Sequence, residues 1–169
     1  MELAAVAQLV ESLVLIVGLV FAAVQLRQYW LTRQRESAFA LVQTFQTPDF
    51  VRGLLVLAEL PEGLTKREIE EHLGTKLESI WVLMDTWESL GVLVFYRELS
   101  LRLLQDFFSG PVLISWKKLH RYVYELRQDL KRDTYYEWFQ WLAELIEVDE
   151  KGRKPPPAYE EHRDWTPEP

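Results

Sequence analysis

The chain has 169 residues, of which 49% are hydrophobic and 13% aromatic, and its formal net charge is −7. It contains no cysteine, which excludes disulfide bonds, thiolate metal sites and a cysteine nucleophile. The acidic balance argues against binding to nucleic acid. Without an apolar N-terminal segment and the C-terminal tail, about 120 residues remain, which suits one domain with one core.

The first predicted element is a helix that crosses a membrane. Residues 3–26 are almost entirely apolar, and Glu11 is their only charged residue. A bilayer core of about 30 Å needs roughly 20 apolar residues in a helix. The free energy gained by inserting the apolar residues of this run is larger than the cost of inserting one carboxylate. A span at residues 12–31 is equally compatible with the pattern. The residues assigned to the span are Leu13, Val14, Leu15, Ile16, Val17, Leu19, Val20 and Phe21.

This segment has two other interpretations, a cleaved signal peptide and a buried helix of a soluble protein. A signal peptide has a positive region before its apolar stretch, whereas this chain has Glu2 and no basic residue there. The interruption at Glu11 is compatible with a buried core helix. Because Arg27, Arg33 and Arg35 all follow the run, the positive-inside rule places the N-terminus outside and the rest of the chain in the cytoplasm.

The next segments have the end signals of short helices. Thr47 and Pro48 suit an N-cap followed by proline in the first helical turn, and this helix should end before Pro61. Thr65 and Glu68 have the spacing of a capping box at the start of another helix.

A long apolar helix and a β-like run are predicted next. Residues 77–90 are apolar on most faces, which indicates a central, buried helix or one that meets a partner. Gly91 is placed to act as its C-cap. Residues 92–96 form the one β-like run of the chain, and periodicity does not distinguish a strand of a short hairpin from a turn at this length.

Three helices complete the predicted domain. Ser100 is placed to cap a short helix, which Gly110 and Pro111 should break. Residues 112–130 then carry the most regular apolar stripe of the chain, at spacings of four and three, and a last amphipathic helix runs to residue 146.

The predicted fold class is therefore all-α. One N-terminal transmembrane helix precedes a small helical-bundle cytoplasmic domain, with at most one short β-hairpin or turn near residues 92–96. Little apolar surface is available in the Pro-rich tail, which is expected to be extended or disordered. The predicted boundaries are 1–31 for the anchor, 32–148 for the helical domain and 149–169 for the tail.

No arrangement of residues typical of catalysis or metal binding occurs in the sequence. None of the three histidines has a carboxylate three residues upstream, and there is no H-E-x-x-H motif, glycine-rich phosphate loop or G-x-S-x-G elbow. The acidic residues next to His72 suit a solvated first helical turn better than a metal site. The sequence therefore predicts no enzyme, no cofactor and no metal.

Two sets of residues are candidate contact sites. Six basic residues in the segment 112–132 suit either a solvated face or contact with the anionic cytoplasmic leaflet. These are Lys117, Lys118, Arg121, Arg127, Lys131 and Arg132. Large aromatic side chains form cores or anchor interfaces, and a carboxyl at membrane depth is a contact candidate. The candidate partner contacts are Glu11, Trp81, Trp87, Trp138 and Trp141.

The order of several segments resembles a known family. The most specific is W-E-S-L-G-V-L-V at residues 87–94, followed by W-K-K-L at 116–119 and E-W-F-Q-W-L-A at 137–143. Over residues 5–146 the chain resembles the prokaryotic domain-of-unknown-function family numbered 4760. The resemblance implies a small protein with an N-terminal membrane segment and a helical cytoplasmic region. It implies no catalytic residue, because the family has no established activity.

The predicted function is that of a non-enzymatic, single-span membrane protein acting through protein–protein interaction. It would be an accessory subunit of a membrane complex or a self-assembling scaffold, so its partners would be membrane lipid and another membrane protein or itself. The alternative is a module that binds or senses the lipid surface through the basic helix. The anchor, the many aromatic residues and the lack of a reactive constellation favour the first hypothesis.

Overall fold

The computed structural model describes residues 15–28, 43, 47–153 and 156–167, and the chain divides into two compact units, Met1–Thr44 and Phe45–Pro169. In the first unit, residues 15–28 form the helix α1. Among the described residues, no helix is both long enough and apolar enough to cross a bilayer. Glu11, Leu13 and Val14 of the predicted span lie outside the described residues.

The second unit is an all-α bundle, and no residue described in it belongs to a β-strand. Its helices are α2 (Pro48–Glu59), α3 (Lys66–Leu73), α4 (Leu77–Phe95), α5 (Leu101–Leu130), α6 (Glu137–Arg153) and α7 (Ala158–Glu161). Helices α2 and α6 both pack against α4 and against α5. Side chains of α4 and α5 meet in the core, where Trp87 contacts Phe108 and Ser115. Helix α3 packs mainly on α5, and a 3-10 turn at Gly74–Lys76 joins it to α4.

The helix starts follow the predicted capping signals. Pro48 lies in the first turn of α2, directly after Thr47. At the start of α3 the predicted capping box is present: the Thr65 hydroxyl accepts the backbone N–H of Glu68, whose carboxylate accepts the Thr65 N–H at 2.8 Å. The Ser100 side chain accepts a backbone N–H from the first turn of α5. The predicted start positions are confirmed at all three helices, and side-chain cap bonds form at Thr65 and Ser100 but not at Thr47.

The predicted end of α4 is wrong. Gly91 is a buried residue inside the helix, and α4 continues to Phe95, so residues 92–96 form neither a strand nor a hairpin. The buried residues Trp87, Leu90 and Val94 continue a helical period through Gly91. Packing of this stripe against α6 overrides the strand preference of the β-branched and aromatic residues in the run.

The predicted break at Gly110 and Pro111 is also wrong, because α5 continues through both residues. Proline in a helix removes one N–H donor and costs about 3 kcal/mol. The carbonyl that loses its donor belongs to Phe107, four residues before the proline. Val112 and Ser115, which follow the proline, are fully buried, and their packing in the core holds the helix together.

The centre of the core is Trp87, whose side chain is 0% exposed. Its indole N–H donates to the Ser115 hydroxyl at 3.0 Å, which satisfies the one polar atom of the ring. Phe50 of α2 packs edge-on against the ring at 5.4 Å between centroids, and Phe108 of α5 packs at 6.0 Å. One tryptophan therefore joins three helices.

Helices continue into the segment after residue 148. Helix α6 continues to Arg153, past the predicted domain end at residue 148, and α7 occupies part of the segment predicted to be extended. Residues 156–167 are exposed throughout. The described tail is thus more helical than its composition indicates, although it adds no side chain to the core.

Candidate functional site

An exposed group of aromatic side chains lies where α4 ends beside the start of α6. Phe95 packs against Trp138 at 4.7 Å, against Tyr96 at 5.2 Å and against Trp141 at 5.9 Å between ring centroids. Phe95 is 50% exposed and Tyr96 is 66% exposed, whereas both tryptophans are half-buried. These four residues are called the aromatic surface below. Rigid aromatic rings in partial contact with solvent are typical anchors of protein interfaces.

The position of the aromatic surface depends on a close approach of two backbones. A Cβ atom added to Gly91 would overlap the carbonyl oxygen of Trp138 and lie 2.9 Å from its carbonyl carbon. Only glycine allows α4 to lie this close to α6. The approach brings the ring of Trp138 against Phe95, one turn further along α4.

Two carboxylates of α4 fix the start of α6. The Glu88 carboxylate accepts the backbone N–H of Phe139 at 2.7 Å, so α4 supplies the N-cap group for α6. Burial raises the pKa of Glu88, and the backbone N–H groups it accepts act in the opposite direction. The Tyr136 hydroxyl donates to Asp85 at 2.9 Å, and burial together with this bond raises the pKa of Tyr136 far above its usual range.

A shallow polar cleft of about 260 Å³ lies beside these carboxylates. Pockets for small molecules are usually larger and mostly apolar, with roughly 300–1,000 Å³ of volume. Tertiary bonds already occupy one oxygen of Asp85 and one of Glu88. The bonds of Asp85 and Glu88 in this cleft therefore contribute to the packing of α6 against α4. Its lining residues are Asp85, Glu88, Arg132, Thr134, Tyr135 and Tyr136.

The first three residues of the predicted basic face contact the chain segments next to α5. Lys117 forms a salt bridge with Glu62 at 2.9 Å. Lys118 donates to two carbonyls in the last turn of α2 at 2.9 and 3.0 Å, where cations favourably oppose the helix dipole. Arg121 donates to the carbonyl of Gly63 at 3.0 Å. These side chains tie the loop between α2 and α3 to α5.

The other three basic residues lie in the last turn of α5 and in the connection that follows it. Arg127 donates to the carbonyls of Tyr135 at 2.7 Å and Tyr136 at 3.2 Å, and also to a side chain in the first turn of α6. Lys131 ends α5 in the left-handed conformation, and Arg132 bonds within the turn. The side chains of five of the six predicted lipid contacts thus bind other groups of the protein, and their contact with lipid stays a prediction.

The predicted partner contacts separate into different environments. Trp138 and Trp141 belong to the aromatic surface. Trp87 is a core side chain and is inaccessible to a partner, so for this residue the core alternative is correct. Trp81 is 44% exposed, and its indole N–H donates to the buried Tyr122 hydroxyl at 3.1 Å. Glu11 lies outside the described residues.

Phe95 and Tyr96 are the members of the aromatic surface that sequence reasoning missed. Both fell in the run assigned to a strand or turn, where side chains alternate in direction. In a helix, Phe95 follows Trp87 and Gly91 at intervals of four. The apolar stripe that predicted a buried α4 could have been continued to Phe95 if Gly91 had been interpreted as a position of close helix packing rather than as a C-cap.

The remaining candidates for metal binding are the acidic residues near His72. The part of the chain that the structure describes contains no group of three or more histidine, cysteine or carboxylate residues arranged to hold a metal. In the predicted acidic turn near His72, Glu68 completes the capping box of α3 and Glu71 pairs with Arg67 at 2.7 Å. Local helix contacts therefore account for these carboxylates.

Comparisons with known proteins identify the family only. Searches of curated proteins and of solved structures returned no match. A family model described as a domain of unknown function (DUF4760) matches residues 12–146, most of the chain and all of the bundle from α2 to the middle of α6. The chain therefore belongs to the DUF4760 family.

Proposed function

We propose that this protein is a non-enzymatic interaction protein, anchored in a membrane by its N-terminal segment, whose helical domain binds another membrane protein as an accessory subunit. The aromatic surface is the observation that carries the proposal. Three of its rings lie on α4 and α6, and Tyr96 follows directly at the C-cap of α4. Gly91 fixes the spacing of the two helices, and Glu88 fixes the start of α6. A partner would therefore meet a preorganised surface, with little ordering entropy lost on binding.

The anchor is supported by the sequence and by the exposure of α1. Residues 3–26 have the length and composition of a membrane span. The large apolar side chains of α1 are between 48% and 71% exposed, which is costly in water and favourable in lipid. These side chains are Leu15, Ile16, Val17, Leu19, Val20, Phe21, Val24 and Leu26.

The anchor is tested by fractionation of the cells that make the protein. The full chain is expected in the membrane pellet after alkaline extraction, because an inserted apolar helix of this length is not released by removing charge contacts. A variant without residues 1–31 should be in the supernatant. Recovery of the full chain in the supernatant would contradict the anchor.

The partner is tested by affinity purification of the tagged, full-length protein from native membranes in mild detergent, followed by mass spectrometry. We expect stoichiometric co-purification of another membrane protein. Tyr96→Ala and Trp141→Ala should each reduce its yield by about tenfold, since aromatic anchors at the centre of an interface are worth about 2 kcal/mol or more. Trp165→Ala is the matched control, because Trp165 is 70% exposed and lies far along the chain in the tail.

The purification can contradict the proposal in two ways. If no other protein co-purifies, the accessory-subunit function fails. If the partner remains with both variants of the aromatic surface, its binding site lies elsewhere. Thermal unfolding of each variant separates lost binding from lost folding. Tyr96 is the sharper probe, because its ring contacts only Phe95 among the described aromatic rings.

The alternative function, binding or sensing of the lipid surface through the basic helix, draws less support. A basic face attracts anionic lipid when its charges are free to approach the headgroups. Here Lys118 and Arg127 donate to backbone carbonyls inside the domain, and Lys117 is paired with Glu62. Breaking these contacts would offset much of the gain from contact with lipid.

A further inference from the structure

A second apolar surface, separate from the aromatic surface, lies on the outer side of α2 and α5. Leu55 is 63% exposed, Ile114 is 51% exposed, and Val51 and Phe107 are nearly half exposed. These four residues are called the α2–α5 face. None of their side chains can form a hydrogen bond, so their exposure to water is unfavourable.

The two helices run side by side in the same direction, which makes the face continuous. Trp87 contacts Phe50 in the first turn of α2 and Phe108 of α5, so these residues lie at one level. Lys118 reaches the carbonyls of the last turn of α2. Helix α2 therefore lies along residues 108–118 of α5, and the exposed residues of both helices border one groove.

Ion pairs flank the α2–α5 face, although the whole chain has a net charge of −7. On α2, Arg52 pairs with Asp49 at 3.3 Å. At the other end of the face, Lys117 of α5 pairs with Glu62 at 2.9 Å. Because these flanking charges are already paired, they attract an oppositely charged partner only weakly, and an identical face can approach them with little repulsion.

We propose that the α2–α5 face binds a second copy of this chain, so that the protein is a two-fold symmetric homodimer. In such a dimer the same patch is used twice, which requires that it be self-complementary in charge and apolar at its centre. Aliphatic residues and phenylalanine with paired charges at the edge meet both requirements. The face has neither the tryptophan and tyrosine belt nor the free lysines that mark a surface in contact with lipid.

The size of the face fits the centre of such an interface. Its exposed apolar area is on the order of 300 Å², which is the size of the largest and often functional patches on single proteins. A stable interface buries roughly 800 Å² on each copy, of which the centre is the apolar part. The remaining polar residues of α2 and α5 would form the rim. The homodimer does not depend on the proposed accessory function, which uses the aromatic surface.

The absence of native cysteine allows a direct test. In full-length protein in its native membrane, Leu55→Cys and Ile114→Cys are each expected to give a disulfide-linked dimer under mild oxidation, because both lie on the α2–α5 face. Val148→Cys is the control, since Val148 is 70% exposed on α6, outside both surfaces. The proposal is overturned if neither position on the face cross-links, or if Val148→Cys cross-links equally well.

A substitution with a second readout completes the test. Leu55→Glu should lower the dimer fraction by about tenfold or more in native mass measurements of the detergent-solubilised protein, because two unpaired carboxylates would be buried at the interface. Val148→Glu should leave the dimer fraction unchanged. A dimer that persists with Leu55→Glu overturns the proposal. The Tyr96 and Trp141 variants should keep the dimer even if they lose the partner, so the two proposals can fail separately.

Discussion

Gly91→Ala is expected to lower the free energy of unfolding by about 2 kcal/mol, although alanine normally stabilises a helix relative to glycine. The added methyl group would overlap the carbonyl oxygen of Trp138 and press on its carbonyl carbon. Both atoms belong to the backbone of α6, so no side chain can turn away to make room. Relief requires α4 and α6 to separate, which weakens the most extensive helix contact of the bundle.

The matched control for this prediction is Gly152→Ala. Gly152 also lies inside a helix, but nothing lies within 4 Å of the position its Cβ would take. The free energy of unfolding of Gly152→Ala should stay the same or rise by up to about 1 kcal/mol, because only helix propensity changes. Urea unfolding of both variants measures the difference. If Gly91→Ala were as stable as Gly152→Ala, the close approach of α4 and α6 would not exist as described.

Trp87→Ala should lower the free energy of unfolding by more than Gly91→Ala does, by about 3–5 kcal/mol, because it removes the largest fully buried side chain of the core. The cavity would remove the ring against which both Phe50 and Phe108 pack. The substitution also removes the donor that bonds to the Ser115 hydroxyl. For a domain with a typical stability of roughly 5–15 kcal/mol, a loss of this size leaves a substantial unfolded fraction near physiological temperature.

Comparison with Trp81→Ala makes the effect at Trp87 specific. Trp81 lies on the same helix and also donates one hydrogen bond, but 44% of its surface is already exposed. Trp81→Ala should therefore lower the free energy of unfolding by less than half as much as Trp87→Ala, roughly 1–2 kcal/mol. Thermal unfolding followed by circular dichroism would compare the two. Equal losses would mean that Trp87 does not occupy the centre of the core.

The helix starts and the fold class were predictable from the sequence. The Thr65 and Glu68 capping box and the Ser100 cap are bonds between groups within three residues, so local sequence determines them. The all-α class follows from apolar residues at helical spacing in α4 and α5. Membership of the family followed from ordered motifs along the chain and was confirmed over residues 12–146.

The candidate site was only half predictable. Trp138 and Trp141 were chosen because tryptophan often anchors interfaces, and both are in the aromatic surface. Trp87 was chosen for the same reason and is in the core. The three residues have the same chemistry, and local sequence does not say which face of a helix another helix will cover. Phe95 was missed because its segment was assigned to the wrong secondary structure.

The sequence by itself determined the elements that depend on neighbouring residues: the caps, the helical periodicity and the apolar N-terminal run. Only the tertiary structure decided the meaning of Gly91, Pro111 and the basic residues of α5. Gly91 looks like a helix end until a second backbone is placed against it, and Pro111 looks like a break until the core holds both sides of it. Lys118 and Arg127 look like a free basic face until carbonyls from α2 and from the connection before α6 reach them. The physical reason is that packing and hydrogen bonds between distant segments outweigh local propensities of about 1–3 kcal/mol.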